Sequence, residues 1–277
     1  MAKVRVAGFS LSLDGFGAGP EQSLNDPLGK RGRELHQWIF GTRMFQAMIG
    51  KEGGSTGVDH DYAARSMSGF GAFILGRNMF DPKRGDWPDN AWKGWWGDNP
   101  PYHAPTFILT HYARDPIVME GGTTFHFVTE GIEAALEKAK AAAGDLDVKI
   151  GGGVSTVRQY LRAGLVDELH FVISPVVLGR GEAMFEGIDL PGLGFRVTEH
   201  AATEFATHVV LGKTAEVPDD LQKALNKSPK AAAFFATLNS RNRFSILYRI
   251  GAVKKAETRA RKIVEFVAML ERNETIH

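Results

Sequence analysis

Three consecutive glycines stand where the chain passes from a predicted strand into a predicted helix. Residues 150–156 read Ile-Gly-Gly-Gly-Val-Ser-Thr, and the helix is predicted over 154–161. Glycines let the backbone approach a phosphate closely, and the first N–H groups of a helix, like the hydroxyls of Ser155 and Thr156, donate hydrogen bonds to an anion. The pattern predicts a pyrophosphate site, with a tight turn packed for its own sake as the alternative.

This loop is neither of the two common nucleotide-binding motifs. It lacks the Lys and Ser/Thr of a P-loop, and its G-x-G-x-x-T pattern ends in Thr. No acidic residue follows about 20 positions later to bind a ribose 2′-hydroxyl, as a dinucleotide-binding fingerprint requires. If a nicotinamide cofactor binds, the missing acid favours NADP over NAD.

Two further segments follow predicted buried strands and could complete such a site. Residues 76–78 (Gly-Arg-Asn) offer a helix start and a guanidinium, while Thr110, His111 and Arg114 offer a hydroxyl and two basic groups for a 2′-phosphate. Taken singly, each segment is more often an ordinary capped turn. Because the carboxyl ends of parallel strands meet at one edge of a sheet, three such segments indicate a shared ligand site.

Alternating strands and helices must position these segments. A helix is predicted over 129–143, with Thr129 as its N-cap, and strand, helix, strand in succession is typical of a largely parallel α/β sheet. After Gly164 only strands are predicted, and we expect these to pair antiparallel at one edge. The predicted strands begin at Val4 and then cover 72–75, 106–110, 125–128, 147–150, 168–174, 195–199 and 204–211.

Charge and composition divide the chain near residues 212–218. The 277 residues hold 33 Lys+Arg and 32 Asp+Glu, but residues 1–212 hold 20 and 25, a net charge of −5, while residues 213–277 hold 13 and 7, a net charge of +6. The second segment has one Gly, no Trp, and apolar residues at helical spacing that predict three or four short helices. We therefore expect two domains, at 1–213 and 216–277, the second all-α.

Several classes of protein are excluded or disfavoured by composition. The chain contains no Cys, so disulfides, thiolate nucleophiles and cysteine-ligated metal centres are excluded. No apolar run approaches the roughly 20 residues that span a bilayer, and the N-terminus has no apolar stretch of signal-peptide length. We expect a cytoplasmic protein with no membrane insertion and no bound metal.

Five motifs in order give the chain a family resemblance. They lie at 9–15, 76–80, 151–153, 163–170 and 175–181. With them, residues 3–212 resemble the dihydrofolate-reductase-like family that includes the reductase domain of riboflavin biosynthesis. The resemblance implies a three-layer α/β/α fold around a mixed sheet, NADPH as the cofactor, and hydride transfer to a heterocyclic substrate that is pterin-like or ribosylamino-pyrimidine-like.

The resemblance also implies roles for single residues. Asp14 is the candidate catalytic residue, in contact with substrate or nicotinamide, and an Asx-turn with Gly15 is the alternative. By this resemblance, Ala7 contacts the nicotinamide edge, Thr110 and His111 contact the adenosine phosphate side, and the remaining residues contact the pyrophosphate. The implied cofactor contacts are Ala7, Gly76, Arg77, Asn78, Thr110, His111, Gly151, Gly152, Gly153, Val154, Ser155 and Thr156.

Four other features have open alternatives. Dihydrofolate reductases use a carboxylate on the helix after the first strand; here a helix is predicted over 32–49, and Glu34 is either the stand-in or a solvated surface residue. Residues 81–105 hold four of the five Trp, which could stack on a heterocycle, pack on one another or form a dimer interface. The glycine-rich stretch 50–57 predicts a flexible lid. Residues 59–61 (Asp-His-Asp) could bind a metal or cap a helix.

The second segment has a resemblance of its own. Residues 216–277, most specifically 256–263, resemble the small helical module of the bacteriocin-protection, outer-membrane-protein-associated family. That resemblance supplies no biochemical role. A basic helical surface could contact nucleic acid or an acidic partner, but solvation is its more frequent role, so nucleic acid is not the expected partner.

Two expectations concern partners and the class of function. We expect a homodimer, and the strands at 168–174 and 204–211, expected at an edge of the sheet, each offer a surface for pairing or packing without deciding which surface is used. The main hypothesis is an NADPH-dependent oxidoreductase. The alternative is a non-catalytic binding or stress-protection protein that keeps the reductase fold as a scaffold and uses the basic helical module to contact a partner.

Overall fold

The computed structural model describes residues 2–81, 83, 85–87, 91–213, 217–238 and 240–276. The chain forms two compact units, Met1–Gly212 and Lys213–His277. The predicted boundary includes residues 214–216, which lie outside the described residues. Within the described ranges, every helix is too short or too polar to cross a bilayer.

A mixed sheet forms the centre of the first unit, with nine strands in the part of the chain that the structure describes. They are β1 (Val4–Leu11), β2 (Phe70–Gly76), β3 (Pro105–Leu109), β4 (Ile117–Val118), β5 (Thr124–Val128), β6 (Asp147–Gly152), β7 (Glu168–Ile173), β8 (Phe195–Ala202) and β9 (Thr207–Lys213). Their order across the sheet is β4-β5-β3-β2-β6-β1-β7-β9-β8. Strands β5, β3, β2, β6, β1 and β7 run parallel, while β4 and β9 pair antiparallel with β5 and β7.

Helices cover both faces of this sheet. The helices are α1 (Gln37–Phe40), α2 (Arg43–Met48), α3 (Val58–Arg65), α4 (Ile132–Ala143) and α5 (Val154–Arg162). Because side chains alternate along a strand, Ile74 of β2 packs with α4 and α5, while its neighbour Phe73 packs on the opposite face. On that opposite face of the sheet, Trp38 of α1 and Ala63 of α3 pack against Val172 of β7. The predicted three-layer α/β/α fold is confirmed.

Two helix predictions were wrong in detail. The predicted helix 32–49 is a 3-10 helix (Gly32–His36) followed by α1 and α2, because Thr42 is extended and caps α2 by accepting the N–H of Phe45 at 3.2 Å. Helix α4 begins at Ile132 rather than after Thr129. The carboxylate of Glu130 accepts the N–H of Thr129 at 2.8 Å, and Gly131, at φ 96°, is the N-cap.

The predicted edge strands are also corrected. The antiparallel pairing of β7 with β9 is confirmed, but β7 lies between β1 and β9, and β9 lies between β7 and β8. The strands at the two ends of the described sheet are β4 and β8. Neither predicted strand therefore offers a free edge to a second copy of the chain, and the homodimer itself stays a prediction.

The second unit is helical, as predicted. Its described helices are α6 (Asp219–Asn226), α7 (Pro229–Thr237), α8 (Ser240–Gly251) and α9 (Ala256–Glu271). Leu221, Phe235, Ile250 and Leu270, one from each helix, are buried in its core. Arg259 of α9 pairs with the carboxylate of Asp220 at 2.5 Å and donates to the carbonyl of Ile250 at 2.8 Å, so the motif at 256–263 helps to hold this unit together.

Candidate functional site

A cleft of about 420 Å³ opens at the carboxyl ends of the parallel strands. Loops that follow β5, β3, β2 and β6, and the end of β1, form its wall, which is the crevice where open α/β sheets bind ligands. Ten of the twelve predicted cofactor contacts lie on this wall: Gly76, Arg77, Asn78, Thr110, His111, Gly151, Gly153, Val154, Ser155 and Thr156.

The start of α5 supplies hydrogen-bond donors to the cleft. The first backbone hydrogen bond of this helix runs from the N–H of Val157 to the carbonyl of Gly153 at 3.1 Å, so the N–H groups of the three preceding residues have no acceptor within the helix. The aligned peptide dipoles also favour negative charge at this end. Since Ser155 adds an exposed hydroxyl, this wall of the cleft suits an anion.

Glycines beside the start of α5 allow close packing and leave room for a ligand. A Cβ on Gly76 would overlap the Thr156 hydroxyl, and a Cβ on Gly151 would overlap the Leu75 side chain. A Cβ on Gly153 would have no heavy atom within 4 Å. The open space at Gly153 lies against the helix start, so the residues present fit a bound phosphate group.

Arg77 connects this wall to the tryptophan-rich loop. Its Nη1 donates to the carbonyl of Gly85 at 2.6 Å, and its guanidinium lies 3.7 Å from the ring centroid of Trp87. The Trp92 indole donates to the carbonyl of Phe80 at 2.7 Å and meets the ring of Trp95 edge-on at 5.1 Å. The four Trp of the loop are absent from the described cleft wall. Trp92 and Trp95 pack on each other, and Trp87 packs on the rings of Phe80 and Phe127.

The end of β3 lies beyond the glycines. Thr110 is buried, and its hydroxyl accepts the N–H of Tyr112 at 3.2 Å, while His111 is exposed on the cleft wall. Thr129 and Gly131, after β5, line the cleft beside them and were missed. The sequence carries a signal for them, since 129–131 also follows a predicted strand, but Thr129 also fits the N-cap of the predicted helix.

Two of the predicted cofactor contacts lie off the wall. Ala7 is buried with Phe70 and Phe73, and Gly152 lies behind the wall, where a Cβ would come 3.4 Å from the ring of Phe9. The peptide between Gly152 and Gly153 is cis. The roles of these two residues stay predictions.

Asp14, the predicted catalytic residue, lies outside the cleft wall. Its exposed carboxylate accepts backbone N–H groups from Leu178 at 3.1 Å and Gly179 at 2.7 Å. Burial raises the pKa of this carboxyl, but hydrogen bonds from Ser12 and from the two amides outweigh that effect and hold it below its usual value. In this structure Asp14 attaches the motif at 175–181 to the end of β1, and its catalytic role stays a prediction.

Two of the other candidates lie away from the cleft. Glu34 is paired with Arg31 at 2.9 Å and does not line the wall. The proposed lid 50–57 is attached by backbone hydrogen bonds from Ser55 to Gly41 and from Arg43 to Ser55, and it also does not line the wall. Neither candidate is therefore placed to contact a ligand in the cleft.

The candidate metal ligands at 59–61 are used in other ways. Asp59 accepts from His208 at 2.8 Å, and His60 Nδ1 accepts the N–H of Met44 at 3.2 Å. Asp61 lies inside α3, whose N-cap is Gly57. Among the described residues, no three His, Asp or Glu side chains are grouped to hold a metal.

A buried histidine pair supports the floor of the cleft. At a break in the β1–β7 register, the N–H of Gly8 donates to Nδ1 of His170 at 3.1 Å, so we assign the proton of His170 to Nε2. Nε2 then donates to Nδ1 of His208 at 3.0 Å, and Nε2 of His208 donates to Asp59. With both rings neutral, each hydrogen bond from Gly8 through His170 and His208 to Asp59 has one donor and one acceptor. Burial, then His208, lowers the pKa of His170 to about 3.

The β1 end of the cleft is walled by residues that the sequence did not single out as ligand contacts. Phe9 and Ser10 come from β1, and the remainder come from the long connection before α1 and from the loop after β7. The strand-end argument does not reach residues in such connections. The residues in question are Gln22, Pro27, Leu28, His36 and Glu182.

Comparisons with known proteins agree with this fold. A model of the RibD C-terminal domain matches residues 4–211, and a model described as Bacteriocin-protection, YdeI or OmpD-Associated matches residues 214–273. No curated protein matches the chain. Both predicted resemblances are thereby confirmed.

Several solved structures are also similar to the chain. A putative riboflavin biosynthesis protein from Shewanella sp. PV-4 is 21% identical, with a TM-score of 0.46, over 78% of this chain and 100% of that one. RibD from Acinetobacter baumannii is 17% identical, with a TM-score of 0.44, over 78% of this chain and 59% of that one. A dihydrofolate reductase from Enterococcus faecalis complexed with NADP(H) is 14% identical, with a TM-score of 0.38, over 77% and 97%.

The family model covers most of the chain, including eight of the nine described strands, residues 207–211 of β9 and every segment of the cleft wall. Over residues 4–211, the chain belongs to the RibD C-terminal domain family.

Proposed function

We propose that the cleft binds NADPH and that the protein transfers a hydride from it to a pterin-like or ribosylamino-pyrimidine-like substrate. One observation carries the proposal: ten of the twelve residues predicted to contact the cofactor line one cleft, and the open space at Gly153 faces the start of α5. A reductase needs a dinucleotide site and an adjoining substrate site, and membership of the RibD C-terminal domain family supports a reductase.

The strand order supports a placement for each part of the cofactor in the cleft. Strands β2 and β6 are neighbours between β3 and β1, so residues 76–78 and 151–156 at their ends lie in the middle of the cleft. Neighbouring strands lie about 4.8 Å apart, which brings these two segments close together. The pyrophosphate would lie there, and the adenosine half would extend toward Thr110 and His111 after β3. The nicotinamide would lie toward β1, next to Phe9, with the substrate beyond it.

NADPH, when bound, supplies the hydride. The protein residues would hold and orient the cofactor and the substrate, because hydride transfer depends mainly on the distance and angle between the donor and acceptor carbons. The start of α5 and the Ser155 hydroxyl would hold the phosphates. The Phe9 ring would shield the β1 end of the cleft from water, and His170 holds Gly8 in its floor by accepting the N–H of Gly8.

The direct test of the reaction is turnover. The purified protein is mixed with NADPH and a panel of oxidised pteridines and ribosylamino-pyrimidines, and loss of the dihydronicotinamide absorbance is followed. We expect oxidation of NADPH that depends on one member of the panel. If NADPH binds and no member is reduced, the non-catalytic scaffold hypothesis is favoured instead.

The identity of residue 111 should affect the choice between NADPH and NADH. His111→Glu is expected to weaken NADPH binding by about 10-fold or more, because it replaces a hydrogen-bond donor near the proposed 2′-phosphate with a negative charge. NADH, which lacks that phosphate, should bind with nearly unchanged affinity. Dissociation constants for both cofactors, measured by fluorescence titration, check the prediction.

Tyr112→Glu provides the matched control for this measurement. Tyr112 adjoins His111 in the chain and also lines the cleft, so its replacement puts the same charge one residue away. If both variants weaken NADPH and NADH equally, the effect is general repulsion and residue 111 does not contact the 2′-phosphate.

A further inference from the structure

A break in the β1–β7 register forms part of the cleft floor. The pairing of the two strands shifts between Val6 and Phe9, and Gly8 lies within the shift with a φ of 72°. Gly8 and Phe9 both line the cleft. A residue at such a break is displaced from the regular ladder, so its position depends on the other groups that hold it.

His170 of β7 holds Gly8 from inside the protein. Its Nδ1 accepts the N–H of Gly8 at 3.1 Å, and a Cβ on Gly8 would lie 2.9 Å from the Cβ of Ser66, so Gly8 is closely packed. His170 in turn shares a hydrogen bond of 3.0 Å with His208, on which Tyr62 stacks with 4.2 Å between the ring centroids. Both histidines are buried and lie off the described cleft wall. The backbone at Gly8 is therefore fixed by side chains that a ligand in the cleft would not touch.

Trp38 supports a second cleft residue of the same strand. Its indole N–H donates to the hydroxyl of Ser10 at 2.9 Å, and Ser10 also lines the cleft. The Trp38 ring is buried and meets the ring of His208 edge-on, with 5.1 Å between the centroids. Gly8 and Ser10 are therefore held by one continuous group of buried rings. This group, the β1 support cluster, consists of Trp38, Tyr62, His170 and His208.

We propose that the β1 support cluster positions the nicotinamide half of the cofactor by fixing β1 at Gly8 and Ser10. This inference rests on the proposed function, which puts the nicotinamide next to β1. The cluster members are positioning residues, because they act through β1 and do not touch the ligand themselves. The phosphates and the adenosine are assigned to segments after β2, β3 and β6. Loss of the cluster should therefore affect the nicotinamide half and leave the rest of the cofactor bound as before.

Two ligands separate the halves of the cofactor in the test. 2′-Phospho-ADP-ribose is NADPH without its nicotinamide ring, and isothermal titration calorimetry gives dissociation constants for both. We expect His170→Leu to weaken NADPH by about 10-fold or more and 2′-phospho-ADP-ribose by less than about 2-fold, because the leucine leaves the N–H of Gly8 without its acceptor. His170→Gln, whose amide oxygen can accept that N–H, should restore part of the affinity for NADPH.

A second variant and a control make the result independent of the stability of His170→Leu. Trp38→Phe keeps an aromatic ring but removes the donor to Ser10, so it should weaken NADPH by at least about 3-fold and leave 2′-phospho-ADP-ribose unchanged. It decides the test if His170→Leu does not fold. Thr106→Val is the matched control, since Thr106 is buried in β3, donates to the carbonyl of Ala104 at 3.1 Å and lies off the cleft wall. It should bind both ligands as the wild-type protein does.

The selectivity of the loss distinguishes a positioning role from a merely structural one. A general loosening of the fold would weaken both ligands alike, because both depend on the same cleft. Equal losses of affinity for the two ligands, or wild-type affinity for NADPH in His170→Leu and Trp38→Phe, would overturn the inference. Failure of the wild-type protein to bind either ligand would instead overturn the proposed function.

Discussion

Gly153→Val is expected to lose at least about 100-fold in affinity for NADPH, or about 2.7 kcal/mol, while keeping its fold. Gly153 has φ −74° and ψ −167°, an extended conformation that residues other than glycine adopt, and a Cβ there has no neighbour within 4 Å. The Cβ would therefore enter the open space beside the start of α5 without meeting a neighbouring side chain, and the isopropyl group would fill that space. That space is where the phosphate must approach the helix N–H groups.

Two further variants and a thermal melt make this result interpretable. Gly153→Ala adds one methyl group and should give an intermediate loss of affinity. Gly41→Val is the matched control, since a Cβ at Gly41 also has no neighbour within 4 Å and this residue lies off the cleft wall. All three variants should unfold near the temperature of the wild-type protein. Wild-type affinity in Gly153→Val would mean that the glycine loop is only a turn.

The buried histidine pair should make the folded state sensitive to acid. The pKa of His170 is lowered from 6.5 to about 3, first by burial and then by His208, and more weakly by the cations of Arg65, Lys149 and Arg5. Tyr62 stacks on His208 at 4.2 Å, and Asp59 and Glu199 raise the pKa of His208 against a larger lowering by burial. A second proton on His170, at Nδ1, would have no acceptor, because Nδ1 faces the N–H of Gly8.

The sign of the pH effect follows from linkage. Below pH 6.5 the unfolded chain binds a proton at residue 170 that the folded chain does not bind until about pH 3. Above pH 6.5 His170 is neutral in both states and costs the folded state nothing. As the pH falls from 6.5 toward 3, the unfolded state is increasingly favoured because only it binds the proton. Each pH unit in this window costs up to about 1.4 kcal/mol, so the free energy of unfolding should fall by several kcal/mol.

Urea denaturation at a series of pH values measures this effect. His170→Gln keeps an acceptor and a donor at the site but cannot titrate, so its free energy of unfolding should fall less steeply between pH 6.5 and pH 3. The comparison of slopes removes the cost of the substitution itself, which is the same at every pH. Parallel curves for the two proteins would contradict the assignment of a neutral His170.

The part of the site that the sequence predicts is the part that follows strand ends. The segments at 76–78, 110–111 and 151–156 each combine a turn with donors directly after a buried strand. Parallel strands bring such turns to one edge whatever their order in the sheet. Ten residues of the cleft wall could be named in advance for that reason.

The other end of the cleft depends on contacts between distant parts of the chain. His36 lines the cleft because the expected helix 32–49 is divided into a 3-10 helix, α1 and α2. The Thr42 hydroxyl caps α2, and this local hydrogen bond competes with the apolar periodicity that predicts one continuous helix. The pairing of His170 with His208 depends on the register of β7 with β9, which single-strand patterns do not specify. Long connections and strand register were therefore beyond prediction from these patterns.

The central claim is that the cleft binds NADPH, and a fluorescence titration of the wild-type protein tests it most directly. NADPH and NADH are each added to the protein at pH 7.5 and low salt, and the change in dihydronicotinamide emission is fitted. The account predicts saturable binding of NADPH with a dissociation constant of roughly 1–100 μM, and binding of NADH that is about 10-fold weaker or more. No saturable change with either cofactor would contradict it.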